Sequence, residues 1–163
     1  GGDLVIRMVE RLRARGLGFI MVVTGRRHDS QFMAFVEAAT KRAGDSSLRL
    51  LGYVPQEDLV PLLHHAFALV FPSRYEGFGL PAIEAMAAGC PVIYHAVTAL
   101  PEVVGDAGIP VTDYSEGAFL DAIQRLAEDP NKRDELIALG KNRAEQFSWE
   151  SCVDRLLNAM SSR

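Results

Sequence analysis

The chain has 163 residues, 48% of them hydrophobic and 23% charged, which is the composition of a globular domain able to bury its own core. Its 17 basic and 21 acidic residues leave a net charge of −4, which excludes a broad nucleic-acid surface, because phosphate neutralisation needs a basic stripe. No stretch approaches the ~18 consecutive apolar residues of a membrane span, although a small anion pocket built from backbone N–H groups stays open.

The first element is a helix, with Leu4, Val5, Met8, Val9 and Leu12 at helical spacing and Gly16 and Gly18 after it. The run Phe19 to Gly25, FIMVVTG, predicts a buried strand. Phe32, Phe35 and Val36 predict a helix over about Ser30 to Arg42. LRLLGYV, Leu48 to Val54, predicts a strand and turn, and Pro55 to Ala66 a helix with Pro61 as an irregularity. FALVFPS, Phe67 to Ser73, is a second buried strand. After a glycine-rich loop and helix come a strand at Pro91 to His95 and a short one at Gly108 to Val111. From Ser115 onward the chain reads helical, ending in a C-terminal helix over 148–163.

Apolar strands alternating with helices imply a parallel sheet covered on both faces. The expected fold is therefore α/β, a doubly wound Rossmann-like sheet forming one domain over 1–163. Because the chain opens directly in a helical pattern, that domain is expected to be excised from a two-domain protein. In such folds ligands sit at the carboxyl ends of the strands, in the loops that lead into helices.

One of these loops carries the chemistry: RYEGFGLPAIEAMAAG, Arg74 to Gly89. Gly77 and Gly79 allow close backbone approach, and Pro81 suits the first helical position. The N–H groups of Gly79, Leu80, Ala82 and Ile83 are then expected to point out of the helix start as an anion site, strengthened by the helix dipole. Glu84 lies about one turn in, and its side chain leans back toward the cleft. It would repel phosphate but accept hydrogen bonds from sugar hydroxyls. Glu76 lies on the loop, across the anion site. The pair frames a ligand with hydroxyls at both ends and phosphate between them, the shape of a nucleotide sugar. The alternative is a tight strand-to-helix turn with two unrelated solvated acids.

At EGFGLPAIE, Glu76 to Glu84, the chain resembles the C-terminal domain of GT-B-fold retaining glycosyltransferases of family 4, whose signature is two glutamates separated by seven residues. The flanks LRLLGYVPQEDLVPLLHHAFALVFPS, GCPVIYHAVTALPEVVGDAGIPV and FSWESCVDRLL resemble the family too, so the likeness runs from about Gly2 to Leu157. The resemblance implies that Glu84 holds the donor ribose and that Glu76, the catalytic candidate, contacts the transferred sugar. It implies that Gly77, Phe78, Gly79 and Leu80 line the donor sugar and diphosphate, and that Gly25, Tyr53 and Val54 sit by the base. It further implies a nucleoside-diphosphate sugar as substrate, with neither cofactor nor bound metal. A first strand bearing basic diphosphate contacts and a separate acceptor-binding N-terminal domain would both precede residue 1. A non-catalytic interaction module of the same ancestry, or a GT-B epimerase or phosphorylase, are the alternatives.

The remaining candidates have plainer readings. Cys90 and Cys152 lack metal-like spacing and are expected as two buried thiols in a reducing compartment. With no signal peptide visible, a cytoplasmic setting is expected, with contact at the inner membrane face left open. His64 and His65 read as helix-end residues, Glu102 as a turn or capping residue, and Trp149 as an anchor for the last helix. Arg26, Arg27 and His28 read as a solvated loop, and Tyr94–His95 stand at a strand end facing the cleft.

Overall fold

The computed structural model describes residues 2–25 and 47–161. The Arg26, Arg27 and His28 loop, the helix expected over Ser30 to Arg42 and the Trp149 side chain lie outside the described residues. In chain order the elements are α1 (Gly2–Ala14), β1 (Met21–Thr24), β2 (Leu48–Gly52), α2 (Gln56–His65), β3 (Leu69–Phe71) and α3 (Leu80–Ala87). They continue with β4 (Val92–His95), α4 (Leu100–Val104), a 3-10 turn (Gly105–Ala107), β5 (Gly108–Val111), α5 (Glu116–Glu128), α6 (Pro130–Glu145) and α7 (Trp149–Ser161). Every strand pair is parallel, as the βα alternation requires.

The described strands form two sheets, β1–β2 and β3–β4–β5. Side chains alternate across the three-stranded sheet. Val70, Ile93 and Val111 face Leu4, Met8 and Leu12 of α1 and Phe119, Leu120 and Ile123 of α5. Leu69, Phe71, Val92 and Tyr94 face α2, α3 and α4 through Leu63, Ala82, Met86 and Leu100. The sheet is thus wound on both faces.

Helix α1 reaches further than one sheet. A second stripe on it, Ile6 and Val9, packs on Leu48 together with Met21, Val23 and Leu50. One helix therefore bridges both sheets, and its basic face is tied to α5 by Arg7 and Arg11 on Glu116 and Arg15 on Asp121.

Local chemistry explains the helix ends. Ser115 Oγ accepts the Ala118 N–H at 3.3 Å to open α5, and Asp129 Oδ1 accepts the Lys132 N–H at 2.9 Å to open α6. α3 closes in a Schellman arrangement: Gly89, at φ +76°, donates to Met86 O at 3.0 Å and Cys90 N–H to Ala85 O at 2.8 Å.

Two expectations are corrected. β1 is not buried: Met21 and Val23 pack on α1, but Val22 on the opposite face is 38% exposed, and Ile20, just before the strand, 56%. Cys152 is exposed on α7; only Cys90 is a buried thiol.

Candidate functional site

The loop from Pro72 to Gly79 leaves the carboxyl end of β3 and turns into α3. Gly79 makes the turn at φ +96°, a left-handed conformation that a side chain disfavours. A β-carbon there would stand 2.6 Å from Leu100 Cδ2, so glycine also admits the packing of α4 against the loop. Gly77 has open space around it. Pro81 falls at the second helical position rather than the first, because the helix begins at Leu80. The Ala82 N–H, expected to point outward, instead donates to Gly79 O at 2.9 Å.

Both acids of the motif are half-buried, Glu76 on the loop and Glu84 within the first turns of α3. The Glu76 backbone is pinned by its N–H to Thr98 Oγ1 at 3.0 Å. Thr98 itself holds a positive φ of 52°, the one non-glycine residue to do so among those described. Strain of this kind persists where the surroundings over-determine a position. Leu80 is exposed, and Phe78 is 44% exposed with its ring edge-on to Phe147 at 5.7 Å. Phe147 carries the Arg143 guanidinium 5.0 Å from its centroid.

On the other side, the ends of β1 and β2 meet through the Gly25 N–H, which donates to Gly52 O at 2.8 Å. Gly25 and Gly52 both have positive φ, 137° and 70°. This brings Gly25 beside the turn that holds Tyr53, 68% exposed, and Val54, half-buried. The expected residues therefore form two clusters, Glu76 to Glu84 and Gly25 with Tyr53 and Val54. Both clusters stand at carboxyl ends of parallel strands.

Beneath the loop lies a group that spacing does not reveal. His95, 8% exposed at the end of β4, places Nδ1 3.0 Å from Ser73 O. Its ring lies 4.8 Å from that of Tyr114, and the Arg74 guanidinium sits 4.5 Å over the Tyr114 centroid. Arg74, His95 and Tyr114 thus tie together the loops after β3, β4 and β5. Tyr94 points the opposite way, into the core; burial, and then Asp106, raise its phenol above the usual range. Thr98 and Tyr114 were missed because each reaches the loop from a distant segment. The only local signal was that the loops after β4 and β5 also follow parallel strands.

His64 and His65 end α2 as expected, with His64 Nδ1 3.1 Å from Ala88 O. Glu102 lies in the first turn of α4 without a side-chain cap bond. No described helix is long and apolar enough to cross a membrane.

The comparison with known proteins points one way. Residues 1–143 match the family described as glycosyl transferases group 1. O-antigen chain mannosyltransferase B of Escherichia coli is 42% identical over 141 residues, covering 85% of this chain and 36% of that protein. D-inositol 3-phosphate glycosyltransferase of Corynebacterium aurimucosum is 31% identical over 164 residues, covering 97% and 39%. Among solved structures, sucrose-phosphate synthase from Thermosynechococcus elongatus is 28% identical with a TM-score of 0.80, covering 99% of this chain and 42% of that one. Anabaena HepE in complex with UDP superposes with a TM-score of 0.86 at 18% identity, covering 98% and 44%, which bears on the fold alone. The chain spans well under half the length of each of these proteins.

Proposed function

The chain belongs to the glycosyl transferases group 1 family, and we propose that it is the donor-binding half of a retaining glycosyltransferase that takes its sugar from a nucleoside diphosphate. The observation that carries this reading is the left-handed Gly79 opening α3 between two half-buried glutamates. The diphosphate sits at the start of α3, where outward N–H groups and the positive end of the helix dipole favour an anion. Glu84, leaning back from the first turns, accepts hydrogen bonds from the ribose hydroxyls. Glu76, fixed by Thr98, faces the transferred sugar. Phe78, Leu80 and the Gly77–Gly79 backbone line the space between, and Gly25, Tyr53 and Val54 receive the base.

In this arrangement backbone donors and protein positive charge offset the charge on the departing diphosphate, so the reaction needs no bound metal. The favoured course is a same-face substitution through an ion-pair-like transition state, which retains anomeric configuration. The acceptor is held by a second domain outside these residues.

The test is calorimetric titration of the complete protein with nucleoside diphosphates and their sugars. Glu84→Ala is expected to weaken donor binding by about 1–3 kcal/mol, the value of a lost charge-assisted hydrogen bond. Unchanged affinity removes the ribose role. NMR shifts on UDP or GDP addition that fall only outside Gly77 to Glu84 remove the site.

A further inference from the structure

The loop that carries Glu76 is held along its length by one other segment, the one that follows β4. His95 donates from Nδ1 to Ser73 O at 3.0 Å, since a carbonyl only accepts. Thr98 Oγ1 accepts the Glu76 N–H, and the buried Leu100 side chain lies against Gly79. Ser73, Glu76 and Gly79 are thus matched by His95, Thr98 and Leu100. The segment after β4 is a template on which the loop after β3 lies.

The middle of that template is strained. Four residues, Ala96 to Ala99, join the end of β4 to the start of α4. Their turn is closed by the Leu100 N–H on Val97 O at 3.3 Å, with Thr98 and Ala99 at its centre. Thr98 has φ +52°, and Ala99 has φ −77° with ψ −19°. A positive φ followed by a negative one marks a turn whose first central place favours glycine. Threonine is a poor occupant, because its branched β-carbon crowds a backbone at positive φ. Its side chain is exposed, so burial offers no compensating gain. What threonine has and glycine lacks is Oγ1, and that atom holds the Glu76 N–H at 3.0 Å.

We infer that Thr98 is a positioning residue for sugar transfer: it occupies a glycine place at a cost to the fold in order to fix the backbone from which the Glu76 carboxylate projects. The inference rests on the donor-binding reading, which makes Glu76 the residue that faces the transferred sugar. It adds a division of labour. Donor affinity comes from the start of α3 and from Glu84, neither of which Thr98 touches. Thr98 acts instead on the aim of Glu76 at the reacting centre, where a displacement of about 1 Å costs turnover rather than binding. Stability and activity therefore oppose each other at this one position.

The test uses the complete protein and a panel of UDP-, GDP-, ADP- and dTDP-sugars, read by release of nucleoside diphosphate with water as acceptor. The panel member that the wild type turns over fastest is the probe. Thr98→Gly is expected to melt within about 3 °C of wild type or above it, because relief of the backbone offsets the lost hydrogen bond. Its kcat is expected to fall about 10- to 100-fold with KM for the probe within about twofold. Thr98→Ser keeps the hydroxyl and is expected to recover most of the turnover. A Thr98→Gly variant with unchanged kcat overturns the inference. So does a fall in kcat accompanied by a melting point about 10 °C lower, which makes Thr98 a determinant of the fold. A rise in KM at constant kcat overturns it by making Thr98 a donor contact, and a serine variant as slow as the glycine one by removing the hydroxyl from the account. Wild type that turns over no member of the panel removes the donor-binding reading itself, and this inference with it. Turnover by wild type that is insensitive to Thr98→Gly removes this inference alone.

Discussion

Gly77 and Gly79 stand two residues apart and differ in what an added methyl group meets. At Gly79 the backbone is left-handed and the new β-carbon runs into Leu100, which is fully buried and has little room to yield. Gly79→Ala is expected to destabilise the fold by about 1–3 kcal/mol. Gly77→Ala, into open space, is expected to stay within about 0.5 kcal/mol. Urea unfolding of the two variants measures the difference; equal costs would mean that the turn does not depend on Gly79. The motif was legible in the sequence because its glycines, proline and glutamates are local. The side chains that hold it were not: Thr98 comes from 22 positions beyond Glu76. Pairings across loops leave no periodic trace.

Among elements, the strands were legible and their ends less so. Gly108 to Val111 came out as read, whereas Phe19 to Gly25 shrank to Met21–Thr24 because only those residues pair with β2. Helix α4 went unread: five residues give too little periodicity to register, and Glu102 looked like a turn residue. Its place is secured from elsewhere. Arg143 on α6 donates from Nε to Val103 O at 3.0 Å and from Nη2 to Glu102 O at 2.5 Å, bonding two carbonyls of the short α4. Arg143→Ala is expected to destabilise the protein by about 1–3 kcal/mol, and Arg143→Lys to recover only part, because lysine lacks the planar fork that serves both carbonyls. Full recovery by lysine, read from thermal melts, would reduce the role to charge alone.

For the whole molecule, alternation of strand and helix identified the doubly wound α/β class, but nothing in the pattern announced that the described strands divide into two sheets. A stability limit belongs to this scale as well. Burial pushes the Cys90 thiol from 9.0 up to about 11, against smaller opposing effects of the Leu69 backbone and Arg133. Above the unfolded thiol's pKa, unfolding releases a proton that the native state keeps. The Cys90 contribution is therefore complete below pH 9 and is lost as pH rises toward 11, by about 2–3 kcal/mol in all. Burial raises the Tyr94 phenol in the same sense. Urea unfolding between about pH 8 and 11 checks the slope, which Cys90→Ala should flatten; an unchanged slope in that variant assigns the loss to other groups.

The contact between Phe78 and Phe147 has a practical consequence. The sequence contains two cysteines, and with Cys90 buried the exposed one is Cys152, whose N–H is bonded to Ser148 O just beyond Phe147. Within these 163 residues a maleimide dye therefore attaches at Cys152 without any substitution, close in sequence to the ring that leans on the glycine loop. Movement of that loop becomes an optical signal in the unsubstituted 163-residue chain.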